Sequence, residues 1–147
     1  MSYHGHFTPR NPAKYKGDST SIIYRSLWER QVFKWCDTTD EVEAWSSETV
    51  IVPYISQVDG KKHRYFVDLK IRFSSGKTIL VEIKPFKQTL PPVKRKKVTK
   101  AYLAEVMTWG TNVSKWKAAE TYALDRGMGF CIWTENELRK LGLVVYG

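Results

Sequence analysis

Residues 64 to 84, RYFVDLKIRFSSGKTILVEIK, constrain the fold more than any other stretch of the chain. Val67, Leu69, Ile71 and Phe73 alternate with Asp68, Lys70 and Arg72, and Ile79, Val81 and Ile83 resume the alternation after a polar turn. That period of two predicts a pair of β-strands joined as a hairpin. Ser74-Ser75-Gly76 suits a three-residue loop, a type I turn closed by a left-handed glycine, which pairs Phe73 with Lys77. Counting back, Ile71 faces Ile79, Leu69 faces Val81 and Asp68 sits opposite Glu82. One face is then apolar, and the other carries Asp68, Glu82 and Lys84, with Arg72, Lys70, Phe66 and Leu80 around them. A two-residue loop would slip the register by one and bury Asp68 unpaired among apolar side chains, so it is rejected.

The length of 147 residues predicts a single domain, drawn over 21–147 behind an N-terminal arm over 1–20 that lacks periodicity. An apolar fraction of 42% with six tryptophans and eight tyrosines argues against disorder. Lys and Arg exceed Asp and Glu by 24 to 15. This +9 balance points to a polyanion, nucleic acid before membrane, because no apolar run is long enough to span a bilayer. A merely soluble basic protein is the alternative. Cys36 and Cys131 lack metal-site spacing and are read as buried free thiols. The N-terminus does not read as a secretion signal, which with the thiols favours an intracellular, reducing site of synthesis. His4 and His6 in the arm are read as solvated rather than as metal ligands.

A helix is expected from Ser21 or Ile22 to Asp37, with Tyr24, Trp28, Val32 and Trp35 as its apolar stripe. Glu29 lies on the stripe's border, able to look toward the sheet or to pair with Arg25 or Arg30 in solvent. Strands follow at Val42 to Ser46 and Thr49 to Ile55, with Pro53 placing the second at an edge or bulge. The acidic group Asp37, Asp40, Glu41, Glu43 and Glu48 reads as a solvated surface turned away from nucleic acid. A further helix is expected from Val93 to Trp109, with Val98, Tyr102 and Val106 as its stripe and Leu103 and Met107 beside them. Lys94, Arg95, Lys96 and Lys97 would stand in its first turn, against its dipole. That conflict favours a phosphate-binding patch over a mobile basic loop. Gly110 would end this helix and another run from Asn112 or Ser114 to Arg126, with Val113, Trp116, Ala123 and Leu124 inward. Gly129 to Trp133 reads as a strand buried on both faces, and Thr134 with Glu137 as the capping box of a last helix.

Facing carboxylates on adjacent strands have Cβ atoms about 5 Å apart, close enough to share one hard divalent cation such as Mg²⁺. Lys84, about 6.5 Å further along the same face, could hold or deprotonate a water or neutralise a pentavalent phosphate. A plain cross-strand Glu-Lys pair on a solvated sheet has the same spacing.

Asp68, Glu82-Ile83-Lys84 and the preceding helical Glu29 together resemble the PD-(D/E)xK core of the restriction-endonuclease-like nucleases. The phrase Tyr24-Arg25-Ser26-x-x-Glu29 is similar to the subclass containing the N-terminal nuclease domain of the Tn7-type transposition endonuclease. YKGDSTSIIYRSLWE, VPYIS, KKHRYFVDL and VEIKP resemble the head completion nucleases of T-even-type tailed phages across nearly the whole chain. The resemblance implies an α/β fold, a mixed four- to five-stranded sheet with flanking helices in the order α-β-β-β-β-α-α-β-α. It also implies Mg²⁺-dependent cleavage of double-stranded DNA, with Mn²⁺ substituting. In that carry-over Asp68, Glu82 and the Ile83 carbonyl are metal ligands, Lys84 is the catalytic lysine and Glu29 the helix carboxylate. Val67 stands where the family name has proline, a position without chemistry. Phage head or portal proteins are the implied partners, and the host cytoplasm and then the virion head the implied setting. Phosphate contacts are assigned to Arg25, His63, Arg64, Lys94 to Lys97, Lys115 and Lys117, with no membrane partner. The rival readings are a non-catalytic structural head protein on a retained nuclease fold and an RNA-binding module, which lacks a stacking platform.

Overall fold

Alternation through residues 69 to 83 gives the central strands two packable faces, and the chain covers both. The computed structural model describes residues 4–145. In chain order the elements are β1 (Gly5–His6), β2 (Ile23–Tyr24), α1 (Leu27–Thr38), β3 (Val42–Ser47), β4 (Ile51–Ile55), β5 (Lys62–Phe66), β6 (Leu69–Phe73), β7 (Thr78–Ile83), α2 (Lys100–Asp125), β8 (Gly129–Trp133) and α3 (Glu135–Lys140). The main sheet has the order β3-β6-β7-β8, antiparallel except for the parallel β7–β8 pair. β4 and β5 form a separate antiparallel ribbon, and β1 pairs with β2. This is the mixed α/β arrangement, sheet with flanking helices, that the sequence predicted.

One face of the sheet presents Leu69, Ile71, Ile79 and Val81 to Val32, Phe33 and Cys36 of α1. Residues of the N-terminal arm complete this core. Phe7 meets Phe33 and Trp45 edge-on at 5.8 and 5.9 Å, and Tyr15 and Ile22 are buried. The arm's first three residues lie outside the described ones. On the other face Leu80 packs with Val67, Tyr65, Val52 and the alanines Ala119 and Ala123 of α2. These alanines, one helical turn apart, let α2 approach the strands closely.

Several expectations are corrected. The first strand of the central hairpin is two strands, β5 and β6, because the chain breaks at Val67-Asp68. Val67 therefore joins the α2-side core and does not line up with Leu69. α1 starts at Leu27, capped by the Ser26 hydroxyl, which accepts the Glu29 N–H at 3.1 Å; Tyr24 belongs to β2 instead. The two helices predicted over 93–126 are one, and Gly110 lies buried inside it. A Cβ at Gly110 would stand 2.9 Å from Val58 Cγ2, so the glycine admits the β4–β5 turn instead of stopping the helix. Because α2 begins at Lys100, capped by Thr99, Lys94 to Lys97 lie in an exposed loop before it, and the dipole argument for them lapses. Val98, Leu103, Val106 and Met107 are exposed, since the buried positions of α2 start only at Gly110. Leu124 also faces solvent, and Ala119 takes the inner position. β8 is a half-buried edge strand, which leaves Cys131 half-buried while Cys36 is fully enclosed.

The turn at Ser56 to Gly60, the placement of Pro53 on a ribbon with a free edge, and the capping box of α3 are as expected. No helix among the described residues is long and apolar enough to cross a membrane.

Candidate active site

The hairpin turn sets the register of the site. Gly76 has φ +92°, the Gly76 N–H donates to the Phe73 carbonyl at 2.9 Å, and the Phe73 N–H donates to the Lys77 carbonyl at 2.8 Å. Ile71 then pairs with Ile79 and Leu69 with Val81, the last pair of the ladder, so Asp68 lies one residue outside it on the side of Glu82. Just before the start of β6, the Asp68 carboxylate reaches across, and its Oδ2 accepts the Ile83 N–H at 2.8 Å. Among the described residues its Oδ1 has no hydrogen-bond partner.

Glu82 is only 8% exposed. The Tyr65 hydroxyl donates to its Oε2, and the Lys84 ammonium stands 3.5 Å from its Oε1. Burial first, and then the charge on Glu82, pushes the Tyr65 phenol far above its ordinary range, so it remains a donor. Lys115 of α2 sits over the Tyr65 ring at 5.5 Å.

Glu29 enters from the first turn of α1. Its Oε1 accepts the Arg25 N–H at 3.0 Å, and the Arg25 guanidinium instead forks onto Glu48 at 2.9 and 3.1 Å. Glu29 thus looks inward, not into solvent. Burial raises its pKa, opposed by the Arg25 N–H, with further upward pressure from Glu48 and Glu82. Asp68 is raised well above the usual carboxylate range by burial, then by the charge on Glu82, with Glu29 adding to it. Three carboxylates crowd one end of the sheet with Lys84 as their close counter-charge.

Two contributors escaped the sequence reading. Tyr65 lies on β5, which belongs to a different ribbon, and the break at Val67-Asp68 is what turns it toward Glu82. Glu48, assigned to a solvated acidic surface, instead donates its backbone N–H to the Asp68 carbonyl at 3.2 Å while binding Arg25. It is the non-glycine residue with positive φ among those described, at 56°, a conformation that costs about 1 to 2 kcal/mol. Asp37 of the same acidic group is also not solvated but buried, accepting the Arg10 and Asn11 N–H groups at 2.8 and 2.9 Å.

The assigned phosphate contacts are scattered. Lys115 borders the carboxylates through Tyr65, and Arg25 does so through Glu48. His63 is engaged with Asp59 at 2.8 Å and stacked on Tyr54, while Arg64 lies over Phe66. Lys117 is exposed on α2, and Lys94 to Lys97 are exposed in the loop before it, with Arg95 3.5 Å from Glu105.

Among the described residues no three His, Cys, Asp or Glu side chains form a closed metal-ligand cluster. The site offers hard oxygens in Asp68 Oδ1 and Glu82, and the Ile83 carbonyl is the third that the family resemblance would add. Mutually repelling carboxylates with an uncommitted oxygen suit a divalent cation that keeps several waters. The donor set fits such an ion.

The chain is 47% identical over 146 residues, 97% of each chain, to the head completion nuclease of Enterobacteria phage T4. No solved structure matches. Residues 39–135 match the model described as TnsA-like endonuclease N terminal, a span that holds Asp68, Glu82 and Lys84, with Glu29 ahead of it. Two-thirds of the chain thus falls under one family model, and its facing carboxylates and lysine lie inside that span: the chain belongs to the TnsA-like N-terminal endonuclease family.

Proposed function

We propose that this chain is a Mg²⁺-dependent DNA endonuclease that cleaves or trims packaged DNA during phage head completion, before the tail joins. The observation that carries the reading is the Asp68 carboxylate bound to the Ile83 N–H beside Glu82, with Lys84 3.5 Å from Glu82. The name of the T4 relative supplies the biological setting, and phage head or portal proteins are its implied partners in the host cytoplasm.

Each residue has a separable task in a hydrolysis. Asp68 and Glu82, with the Ile83 carbonyl, would hold the cation. A bound Mg²⁺ supplies positive charge against the phosphodiester oxygens and favours the hydroxide form of a nearby water. Ile83 N–H fixes one oxygen of Asp68, and Tyr65 fixes one of Glu82, so the remaining oxygens are already aimed. Lys84 brings an ammonium to the open side of Glu82, where it can orient the attacking water or stabilise charge on the phosphorane. Glu29, behind Asp68, raises the negative potential that draws a cation in. Burial and the charge on Glu82 raise the Asp68 pKa, so protons compete with the cation for this carboxylate and binding strengthens as pH rises.

The test is incubation of purified protein with supercoiled and linear duplex DNA in Mg²⁺ and in EDTA. Nicked or linear product in Mg²⁺ alone is expected. Cutting that persists in EDTA would remove the metal from the reading, and intact DNA in both Mg²⁺ and Mn²⁺ would favour a structural head protein instead.

A further inference from the structure

A second concave surface lies outside the carboxylate site. The arm runs beside the outer face of α1, and the two enclose a cleft of about 710 Å³. Arg10 and His6 line it from the arm, and Arg30 and Lys34 from α1, with Thr8 and Gln31 as neutral donors. Both ends of the cleft are fastened. At the N-terminal end of α1, Gly5 and His6 pair with Tyr24 and Ile23. At its C-terminal end, the Arg10 and Asn11 N–H groups donate to the Asp37 carboxylate. The walls are therefore preformed.

The charges in this cleft are unbalanced. Among the described residues its one carboxylate, Asp37, is buried and already accepts two backbone N–H groups. Among the described residues no carboxylate lies within 4 Å of the side-chain nitrogens of Arg10, Arg30 or Lys34, whereas Arg25, Arg72 and Arg95 each have one. Arg30 rests over the Tyr24 ring at 5.8 Å, a contact that leaves its charge in place, and cations without a carboxylate partner on a concave surface focus a positive potential and select an anion. Arg30 and Lys34, four residues apart on one helix face, are separated by about 6 Å along the axis. One nucleic-acid strand carries a charge about every 3.4 Å of duplex axis, so this span covers about two phosphates. Neither Glu29 nor Asp68 or Glu82 lines the cleft: at 100° per residue Glu29 falls on the buried side of α1 with Val32 and Cys36, so the cleft is a surface separate from the carboxylate site.

We propose that the cleft between the arm and α1 is a phosphate-binding channel that holds the DNA backbone on the outer face of α1, away from the scissile site. This rests on the endonuclease reading and extends it, because His6, Arg10, Arg30 and Lys34 are separate from the cations around the carboxylates. The channel reads charge, not sequence, so it adds affinity at the cost of salt sensitivity. An acidic protein segment would meet the same cations, but the DNA that the endonuclease reading already brings to this basic chain needs no second partner.

The experiment measures binding of a labelled duplex by fluorescence anisotropy in EDTA, where cutting is not expected, as a function of salt. Wild type is compared with the double variant Arg30→Gln/Lys34→Gln and with Arg139→Gln/Lys140→Gln, which removes equal charge from exposed positions on α3. Circular dichroism checks that each is folded. The cleft pair should lower affinity about tenfold near 0.1 M salt and flatten the log-log salt slope by about two contacts, with a smaller effect from the α3 pair. If the wild type binds DNA and the cleft pair matches it, or matches the α3 pair, the channel is wrong and the nuclease reading stands. If the cleft pair loses polyglutamate binding but not DNA, the occupant is an acidic protein segment and the proposal fails. If the wild type binds no DNA at any salt, the proposal and the endonuclease reading fall together.

Discussion

Tyr65→Phe removes one oxygen atom from the core and, by this account, disturbs both stability and metal binding. Tyr65 is 4% exposed and Glu82 8%, so little water can replace the lost hydroxyl. A hydrogen bond to a charged group is worth about 1.5 to 3 kcal/mol, and a buried acceptor left unsatisfied costs a similar amount. A loss of about 2 kcal/mol in a chain of this size lowers Tm by about 4 to 8 °C. Thermal melts followed by near-UV circular dichroism in EDTA would measure it. Glu82 would also be free to rotate, and loss of a group that orients a metal ligand typically costs about 10- to 100-fold in metal affinity or activity. The Mg²⁺ concentration for half-maximal cleavage should rise accordingly. A variant that melts within a degree of wild type would refute the energetic argument. One that melts early but keeps its Mg²⁺ dependence would show that Tyr65 serves the core and not the site.

Asp68 binds its proton more tightly in the folded chain than at its ordinary pKa of 3.8, so its contribution to stability is complete below that value and is lost as pH rises through the folded pKa. The loss runs at up to about 1.4 kcal/mol per pH unit. Metal-free Asp68→Asn should therefore melt higher than wild type at pH 8 and not at pH 3.5, and parallel melting profiles across that range would contradict the assigned cause. Gly110→Ala gains about 1 kcal/mol of helix propensity but drives a Cβ to 2.9 Å from Val58 Cγ2 and 3.2 Å from Gln57 Nε2. Overpacking of that kind costs about 1 to 3 kcal/mol, so urea denaturation should find the variant less stable, and a stabilised alanine would disprove the close approach.

The hairpin was legible because its information is local: alternation supplies the faces, and Ser74-Ser75-Gly76 supplies the register. Glu82 and Lys84 inherit their placement from those two facts, whereas Asp68, one residue outside the ladder, also depends on the break at Val67-Asp68. Glu29 was partly legible, and Ser26 three residues ahead of it was a capping signal that marks the true start of α1. The apolar phase of Tyr24 concealed that start, since a strand residue can fall on a helix stripe by chance. Gly110 misled for the opposite reason, as a glycine inside a helix and one ending it look alike until the contacting Val58 is known. Tyr65 and Glu48 had no local signature. Their roles depend on the break at Val67-Asp68 and on the left-handed turn at Glu48, both fixed by contacts between segments distant in sequence.

The central claim is that Asp68 and Glu82 form one catalytic centre on DNA. Its most direct test is cleavage of duplex DNA in Mg²⁺ by wild type, Asp68→Ala and Glu82→Ala, each shown to be folded by circular dichroism. Cutting by wild type and loss of at least about a hundredfold in both variants is the predicted result. Full activity in either variant would contradict it and place the chemistry elsewhere on the molecule.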